Sequence, residues 1–248
     1  MRLERVDSTN RFAAERAAAV GADGLVVVAD EQLAGRGRRG RSWHAPAGAG
    51  LLCSVVLRLP GGSPDAHLGT AAVALAARAA LGELCGLPAT LKWPNDLVVA
   101  HQRGPDLKLA GVLAEWCAGG LLVVGIGCNL LWPASAGEPP PGATSVAAET
   151  GRAPRRDELL ACFLQELAAR YLPLRAGEPA AALALAAERR AASATIGRLV
   201  RVEPARGEPW RGRAVDVADD GRLVVTGGDG TRRAIAEGDV IHLRPEPD

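Results

Sequence analysis

Apolar and polar positions change period several times along the chain, and each change marks an element. Alanine-rich residues 7–20 follow Asp7, Ser8 and Thr9, all residue types that cap helices, and predict a helix. Residues 25–29 are short, apolar and β-branched, and 51–59 have the same texture, so both predict strands. Between them, 32–44 carry glycine at 35, 37 and 40 and predict a loop. The Ala/Leu run at 68–85 predicts a long helix. Residues 90–93 and 97–100 predict strand ends around Pro94, and the polar stretch 101–106 predicts a turn. Strands are expected at 107–116 and 121–126, joined as a hairpin at Ala118-Gly-Gly120. The Pro/Gly/Ala-rich segment 132–155 predicts a surface loop, and 157–174 and 180–192 predict helices.

From about Thr195 the texture changes. Short Val-rich runs at 199–202, 213–217, 223–226, 232–235 and 240–243 alternate with turns such as Asp219-Asp-Gly221 and Gly227-Gly-Asp-Gly230. That pattern predicts a small barrel. The expected fold class is α+β: a mixed-sheet domain over 1–194 and a β module over 195–248.

Composition narrows the function classes. At 48% hydrophobic and 23% charged residues, the chain excludes wholesale disorder. Twenty-nine basic against 28 acidic residues give a net charge of +1, which argues against a wholly cationic nucleic-acid binder but not against a local basic patch. No apolar run approaches the roughly 20 residues of a bilayer span. The start, Met1-Arg-Leu-Glu-Arg-Val-Asp7, has no apolar signal region, so a cytoplasmic protein without a membrane partner is expected. The 5 cysteines are odd in number and widely spaced, which fits core residues better than a zinc site or disulfide framework.

Rare residues point to the chemistry. Lys92 and Lys108 are the only lysines among 29 basic residues, and Asn10, Asn95 and Asn129 the only asparagines. A lysine retained in so arginine-rich a chain fits a role that a planar guanidinium cannot fill. Gly35-Arg-Gly-Arg-Arg-Gly-Arg41 has no acid. Its glycines permit an amide nest and its guanidinium forks suit phosphate or carboxylate, so it reads as a lid over a small anion. It is not a P-loop, because no Gly-Lys-Ser/Thr follows. Lys92-Trp-Pro-Asn-Asp96 sets a cation, an amide and a carboxylate around a proline, and Asp96 suits an outer ligand of nucleotide-bound Mg²⁺. Gly111, Gly125 and Gly127 interrupt strand patterns where a ligand could come close. Ser8, Thr9 and Gln32 offer neutral groups for an uncharged polar ligand head. His44, His67, His101 and His242 have no ligand-like spacing, and no Gly-x-Ser-x-Gly elbow is present, which disfavours a metal hydrolase.

Taken together, Asp7-Ser-Thr-Asn10, Glu31-Gln-Leu-Ala-Gly-Arg-Gly-Arg-Arg-Gly-Arg-Ser-Trp43, Lys92-Trp-Pro-Asn-Asp-Leu97, Lys108-Leu-Ala-Gly-Val-Leu-Ala-Glu115 and Gly125-Ile-Gly-Cys-Asn129 resemble, in order and spacing, the biotin protein ligase family. The resemblance is close over 5–130 and holds in outline beyond. It implies a catalytic domain related to class II tRNA synthetases and a C-terminal SH3-like barrel. It also implies two half-reactions: biotin and MgATP give biotinyl-5′-adenylate and pyrophosphate, and the acyl group then passes to a lysine of a biotin carboxyl carrier domain.

Carried onto this sequence, the resemblance assigns Ser8, Thr9 and Gln32 to the biotin head, with Gly35 and Gly111 beside it. Arg36 and Arg38 lie nearest the acyl phosphate, within an adenylate-binding loop that includes Arg39, Gly40 and Arg41. Trp43 walls the pocket. Lys108 meets the biotin carboxylate and α-phosphate; Asn95 and Asp96 serve the nucleotide and its metal, and Asn129 the adenosine end. Leu33 stands where a smaller or polar residue is expected, and Leu107 where a polar or basic one is. Because Asp7-Ser-Thr-Asn10 begins so near residue 1, a monofunctional ligase without a DNA-binding extension, and hence without a DNA partner, is expected. A homodimer is compatible with the sequence. The competing readings are a lipoate ligase-like acyltransferase and a nucleic-acid binder using the arginine loop.

Overall fold

The computed structural model describes residues 1–20, 23–60, 65–101, 104–204 and 207–243. A mixed 7-stranded sheet is built from β1 (Arg2–Val6), β2 (Val26–Gln32), β3 (Gly50–Leu57), β4 (Thr90–Lys92), β5 (Asp96–Val99), β6 (Leu107–Cys117) and β7 (Leu121–Asn129). Their order across the sheet is β1-β2-β3-β7-β6-β5-β4. The β1–β2 pair is parallel and the remaining neighbours are antiparallel. The helices are α1 (Thr9–Val20), α2 (Ala66–Cys85), α3 (Val146–Thr150), α4 (Arg156–Arg175) and α5 (Pro179–Ala191).

β3 is apolar at nearly every position because both faces of the sheet are covered. Val27, Val56 and Val123 pack with Ala13 and Ala17 of α1. On the opposite face Val55, Val124 and Val112 pack with Ala72 and Leu75 of α2 and Phe163 of α4. Small alanines let the helices approach the sheet closely, so a core can form with few aromatics. α2 ends at Gly86, whose left-handed φ of 62° favours a residue without a Cβ and whose N–H donates to Gly82 O.

Two expectations fail, and one strand goes unforeseen, each for a physical reason. α2 spans 20 residues and contains an 18-residue stretch of mean hydropathy 1.4, long and apolar enough for a bilayer, against the expectation that no run approached that length. It is apolar because the sheet, α4 and α5 enclose it; 61% of that stretch is buried. Segment 132–155 contains α3, capped by Ser145 Oγ accepting from Ala148 N–H at 3.3 Å; five residues are too few to show a period. β1 escaped the pattern because it is an exposed edge strand, with Arg5 paired to Glu31 at 2.8 Å on β2. The expected turn at 101–106 falls partly outside the described residues.

Beyond α5, β8 (Leu199–Pro204), β9 (Trp210–Val217), β10 (Leu223–Gly227), β11 (Arg232–Ile235) and β12 (Gly238–His242) form an antiparallel 5-stranded sheet in the order β11-β10-β9-β8-β12. Val200, Val202, Ala214, Leu223 and Val225 fill its core. Trp93, from the β4–β5 turn, completes that core, and its Nε1–H donates to Gly221 O at 3.0 Å. The turn at Asp219–Gly221 forms as expected.

Candidate active site

The β2–β3 loop pinches into a narrow excursion. Arg36 bridges Ser42, Gly37 N–H donates to Arg41 O at 2.6 Å, and Trp43 N–H donates to Gly35 O at 2.9 Å. Gly35 is required here because a Cβ would strike the Trp43 carbonyl. At the tip Arg39 takes the left-handed φ of 54°. Part of the expected amide nest is therefore spent within the loop: Gly37, Arg41 and Trp43 give their N–H groups to the loop's own carbonyls.

The strand glycines do make room, but for the protein's own side chains. Trp43 lies over Gly127, where a Cβ would come within 2.6 Å of its Nε1, and over Gly111, at 3.1 Å from its Cζ3. Over Gly125 stands Asn10, whose Cγ would lie 2.9 Å from a Cβ. The glycines thus seat a tryptophan and an amide that in turn form the walls of a cavity. Lys108 Nζ lies 5.6 Å from the centre of the Trp43 ring, a cation–π contact, and 2.7 Å from Asp96 Oδ1.

A buried network supports the other wall. Thr9 N–H and Thr9 Oγ1–H both donate to Gln32 Oε1, at 2.8 and 2.9 Å. Gln32 therefore satisfies an amide at the start of α1 that a local cap would otherwise take. Ser54 Oγ lies 2.8 Å from Thr9 Oγ1 and 2.7 Å from Asn10 Oδ1. Asn10 Nδ2–H donates to Leu113 O at 3.1 Å and Glu115 Oε2 at 2.8 Å, and Glu115 pairs with Arg36 at 2.9 Å. Ser54 and Glu115 were missed by sequence reasoning. A lone hydroxyl inside the apolar run of β3 was the available signal for Ser54.

These groups line a cavity of about 110 Å³ that gathers Ser8, Thr9, Gln32, Arg36, Arg38, Arg41, Trp43, Asn95, Lys108 and Gly111 from separate elements. A larger cavity of about 430 Å³ adjoins it and contains Lys92 and Asp96; Arg38 and Asn95 line both. Asn95 Nδ2–H donates to Val112 O at 2.6 Å, continuing the β5–β6 pairing through a side chain. Four expected residues line neither of these cavities: Gly35, which sits against the Trp43 carbonyl, Arg39, Gly40 and Asn129. Arg39 and Gly40, at the left-handed tip of the loop, line a third cavity of about 370 Å³ shared with Arg36, Arg38 and Glu115. Asn129 lines neither cavity; its Nδ2–H is used by Thr144 O at 3.0 Å.

The electrostatics are those of a site whose cations are held by acids. Arg36 meets Glu115, Lys108 meets Asp96, and Arg39 and Arg41 meet Asp239 of β12 at 3.4 and 2.8 Å. Arg38 differs: its Nη1 is buried without a partner, and burial pushes its proton affinity below the ordinary arginine range, opposed by Asp239. A desolvated guanidinium still carries its charge and gains from an anion. Asn129 Oδ1 and Trp43 Nε1 are likewise buried without partners. The Cys53 and Cys128 thiols are pushed up to about 12 by burial, so neither is a nucleophile at neutral pH. Among the described residues no group of 3 or more His, Cys, Asp or Glu could form a metal cage.

Because both partner arginines are exposed, Asp239→Asn is expected to cost under about 1 kcal/mol of stability. It should nonetheless speed protease cleavage within residues 36–41 severalfold, read by limited proteolysis; unchanged cleavage would contradict a tether by Asp239.

Residues 3–130 match the biotin/lipoate A/B protein ligase family, and residues 195–243 match the biotin protein ligase C-terminal domain. The chain is 40% identical to a biotin--[acetyl-CoA-carboxylase] ligase of Mycobacterium tuberculosis, over 98% of this chain and 88% of that protein. It is 44% identical to the ligase of the same name from Paracoccus denitrificans, over 64% of this chain and 67% of that one. Among solved structures, biotin protein ligase from Aquifex aeolicus in complex with biotin and ATP superposes with a TM-score of 0.77 at 26% identity, covering 99% and 98% of the two chains. The catalytic motifs, the two matched regions and the shared fold agree: the chain belongs to the biotin/lipoate A/B protein ligase family, on its biotin ligase side.

Proposed function

We propose that the chain joins biotin to AMP from ATP and passes the biotinyl group to a lysine of a biotin carboxyl carrier domain. The observation that carries this reading is the convergence of Lys108, Arg36, Arg38 and Arg41 on one cavity whose other lining groups, Ser8, Thr9 and Gln32, are neutral. That combination suits a ligand with an uncharged polar head and an anionic tail.

In the first step a biotin carboxylate oxygen attacks the α-phosphorus and pyrophosphate leaves. Two anions must meet, and Lys108 with Arg36 and Arg38 offsets their repulsion, most strongly as charge builds on the phosphate oxygens. To do so Lys108 exchanges Asp96, and Arg36 exchanges Glu115, for the substrates. Asn95 and Arg38, which line both cavities, place the nucleotide across them. Asp96 offers the single carboxylate that nucleotide-borne Mg²⁺ commonly uses; the ion would supply charge neutralisation on the phosphates. The mixed anhydride hydrolyses if wetted, and the pinched loop with Trp43 excludes water from it. The carrier lysine's amine then attacks the acyl carbon and AMP leaves. No covalent enzyme intermediate is needed.

The same reading divides the chain into a catalytic domain over 1–194, of the class II tRNA synthetase type, and an SH3-like module over 195–248. The matched C-terminal residues and the five antiparallel strands support it.

The test is incubation with biotin, MgATP and a carrier domain, followed by mass spectrometry for the added acyl group. Biotinylation of one lysine is expected. Transfer of lipoate without biotin would favour the lipoate branch. A nanomolar, salt-dependent complex with nucleic acid would favour the arginine loop as a phosphate-backbone contact; weak binding is expected, because its outer arginines are already paired with Asp239.

A further inference from the structure

The turn that carries Asn95 and Asp96 is held from outside the sheet by a buried relay. Trp93 N–H donates to Thr195 Oγ1 at 3.0 Å, and Thr195 Oγ1 lies 3.0 Å from His242 Nε2. His242 Nδ1 lies 2.9 Å from Asp106 Oδ2, and Arg198 closes on the same carboxylate at 3.1 Å. Thr195 is fully buried, and the Asp106 and His242 side chains are 5% and 9% exposed. The relay joins four stretches of chain: the β4–β5 turn, the entry to β6, the start of the C-terminal module and the end of β12. The neighbouring backbone reinforces it, with Leu91 N–H donating to Ala192 O and Ala194 N–H to Leu91 O, both at 2.8 Å.

The relay resembles a catalytic triad in its order of groups, yet Thr195 has no access to solvent. Thr195, His242, Asp106 and Arg198 line neither of the two cavities of the site. They therefore act on whatever Trp93 positions. Hydrogen-bond accounting gives the relay one direction. An ionised Asp106 only accepts, so His242 Nδ1 donates; Nε2 of the neutral ring then accepts from Thr195 O–H, which leaves the Thr195 oxygen free to accept from Trp93 N–H. A protonated ring would donate at both nitrogens and break that order.

We propose that Thr195, His242 and Asp106 are positioning residues for adenylate formation, through which the C-terminal module fixes Trp93 and hence the placement of Asn95 and Asp96 against the nucleotide. This rests on the adenylation reading above. Biotin recognition by Ser8, Thr9 and Gln32 comes from α1 and β2, so the relay governs ATP use and leaves biotin affinity alone.

Burial holds His242 below the ordinary histidine range; Asp106 opposes that shift, while Lys92 and Arg198 add to it. The unfolded chain binds this proton more readily than the folded one. The relay's contribution is therefore complete above the ordinary histidine pKa and is lost as pH falls below it toward the folded value.

The experiment uses the full chain and measures biotin-dependent pyrophosphate release while ATP, biotin and pH are varied. Thr195→Val removes the hydroxyl at constant shape and Thr195→Ser restores it; His242→Gln removes the titrating ring. Thr195→Val is expected to raise KM for ATP about tenfold, the scale of one buried hydrogen bond. KM for biotin should stay within about twofold, and Thr195→Ser should recover most of the loss. The acid limb of kcat/KM for ATP should flatten in His242→Gln. A KM for ATP unchanged in Thr195→Val, or a parallel rise for both substrates, would overturn the proposal. If Thr195→Val does not fold, the wild type against His242→Gln decides through the acid limb, whose persistence in the variant counts against the relay. A wild-type chain that releases no pyrophosphate with biotin defeats the adenylation reading itself; turnover that none of the variants alters defeats only the positioning role.

Discussion

Lys108→Ala should keep its fold and lose on the order of 10²–10³ in the rate of biotin-dependent pyrophosphate release. The Lys108 side chain is 39% exposed, so truncation opens no core cavity, and circular dichroism and the melting temperature should change little. The rate loss has two sources. The ammonium that meets the carboxylate and α-phosphate is gone, and Asp96 is left facing the incoming phosphates without its partner. Lys108→Arg should recover little. The ammonium stands between Asp96 and the Trp43 ring, 3.3 Å from where a Cβ on Gly111 would lie, and a planar guanidinium does not fit that slot as a compact cation does. Near-normal turnover in both variants would remove Lys108 from the mechanism.

Gly127→Ala should be damaging too, by a different route. The added methyl would fall inside van der Waals contact of the Trp43 indole, 2.6 Å from Nε1, while the backbone at that position is fixed by pairing with Leu52 and Gly111. Overpacking of this kind costs about 1–3 kcal/mol. The indole is the part that can move, and when it moves the cavity loses a wall and Lys108 loses its ring contact. At least about a tenfold loss of biotin affinity is expected by titration calorimetry, equivalent to about 1.4 kcal/mol. Trp43→Ala removes the same wall, so the double variant should be little worse than either single one, the non-additivity of two residues in contact. Strictly additive losses would show that Gly127 acts on something other than Trp43.

Much of the fold was legible in the sequence because period, length and turn chemistry agreed with one another. The β6–β7 hairpin, α2, α4, α5 and the change of texture at Thr195 all fall close to the expected positions. What escaped had a physical reason for being silent. β1 is an edge strand whose charged residues face solvent, and α3 is one short turn within a proline-rich segment. The hydropathy of α2 reflects enclosure by protein, which residue type alone does not reveal.

The site was partly legible in the same sense. Rare lysines, rare asparagines and interrupting glycines marked the right strands, but their partners lie far along the chain. Asp239 meets Arg41 across 198 residues, and Glu115 meets Asn10 across 105. No local pattern encodes such pairings. For the same reason the sequence did not show that Trp43 folds back over Gly111 and Gly127, although both still line the cavity. Gly35, Arg39, Gly40 and Asn129 belong to the right segments but line neither the cavity that holds Lys108 nor the one that holds Asp96, since neighbours on a short loop or strand end need not share a face.

Lys108 and Arg36 must trade acidic side chains for acidic substrates. The direct measurement is a crystal structure with biotin and a non-hydrolysable ATP analogue bound together. It should show Lys108 Nζ moved from Asp96 into hydrogen-bonding distance of the biotin carboxylate and the α-phosphate, with Arg36 released from Glu115 and Arg38 Nη1 partnered by a phosphate oxygen. Both ligands bound while Lys108 stays on Asp96, Arg36 stays on Glu115 and Arg38 touches neither ligand would contradict it.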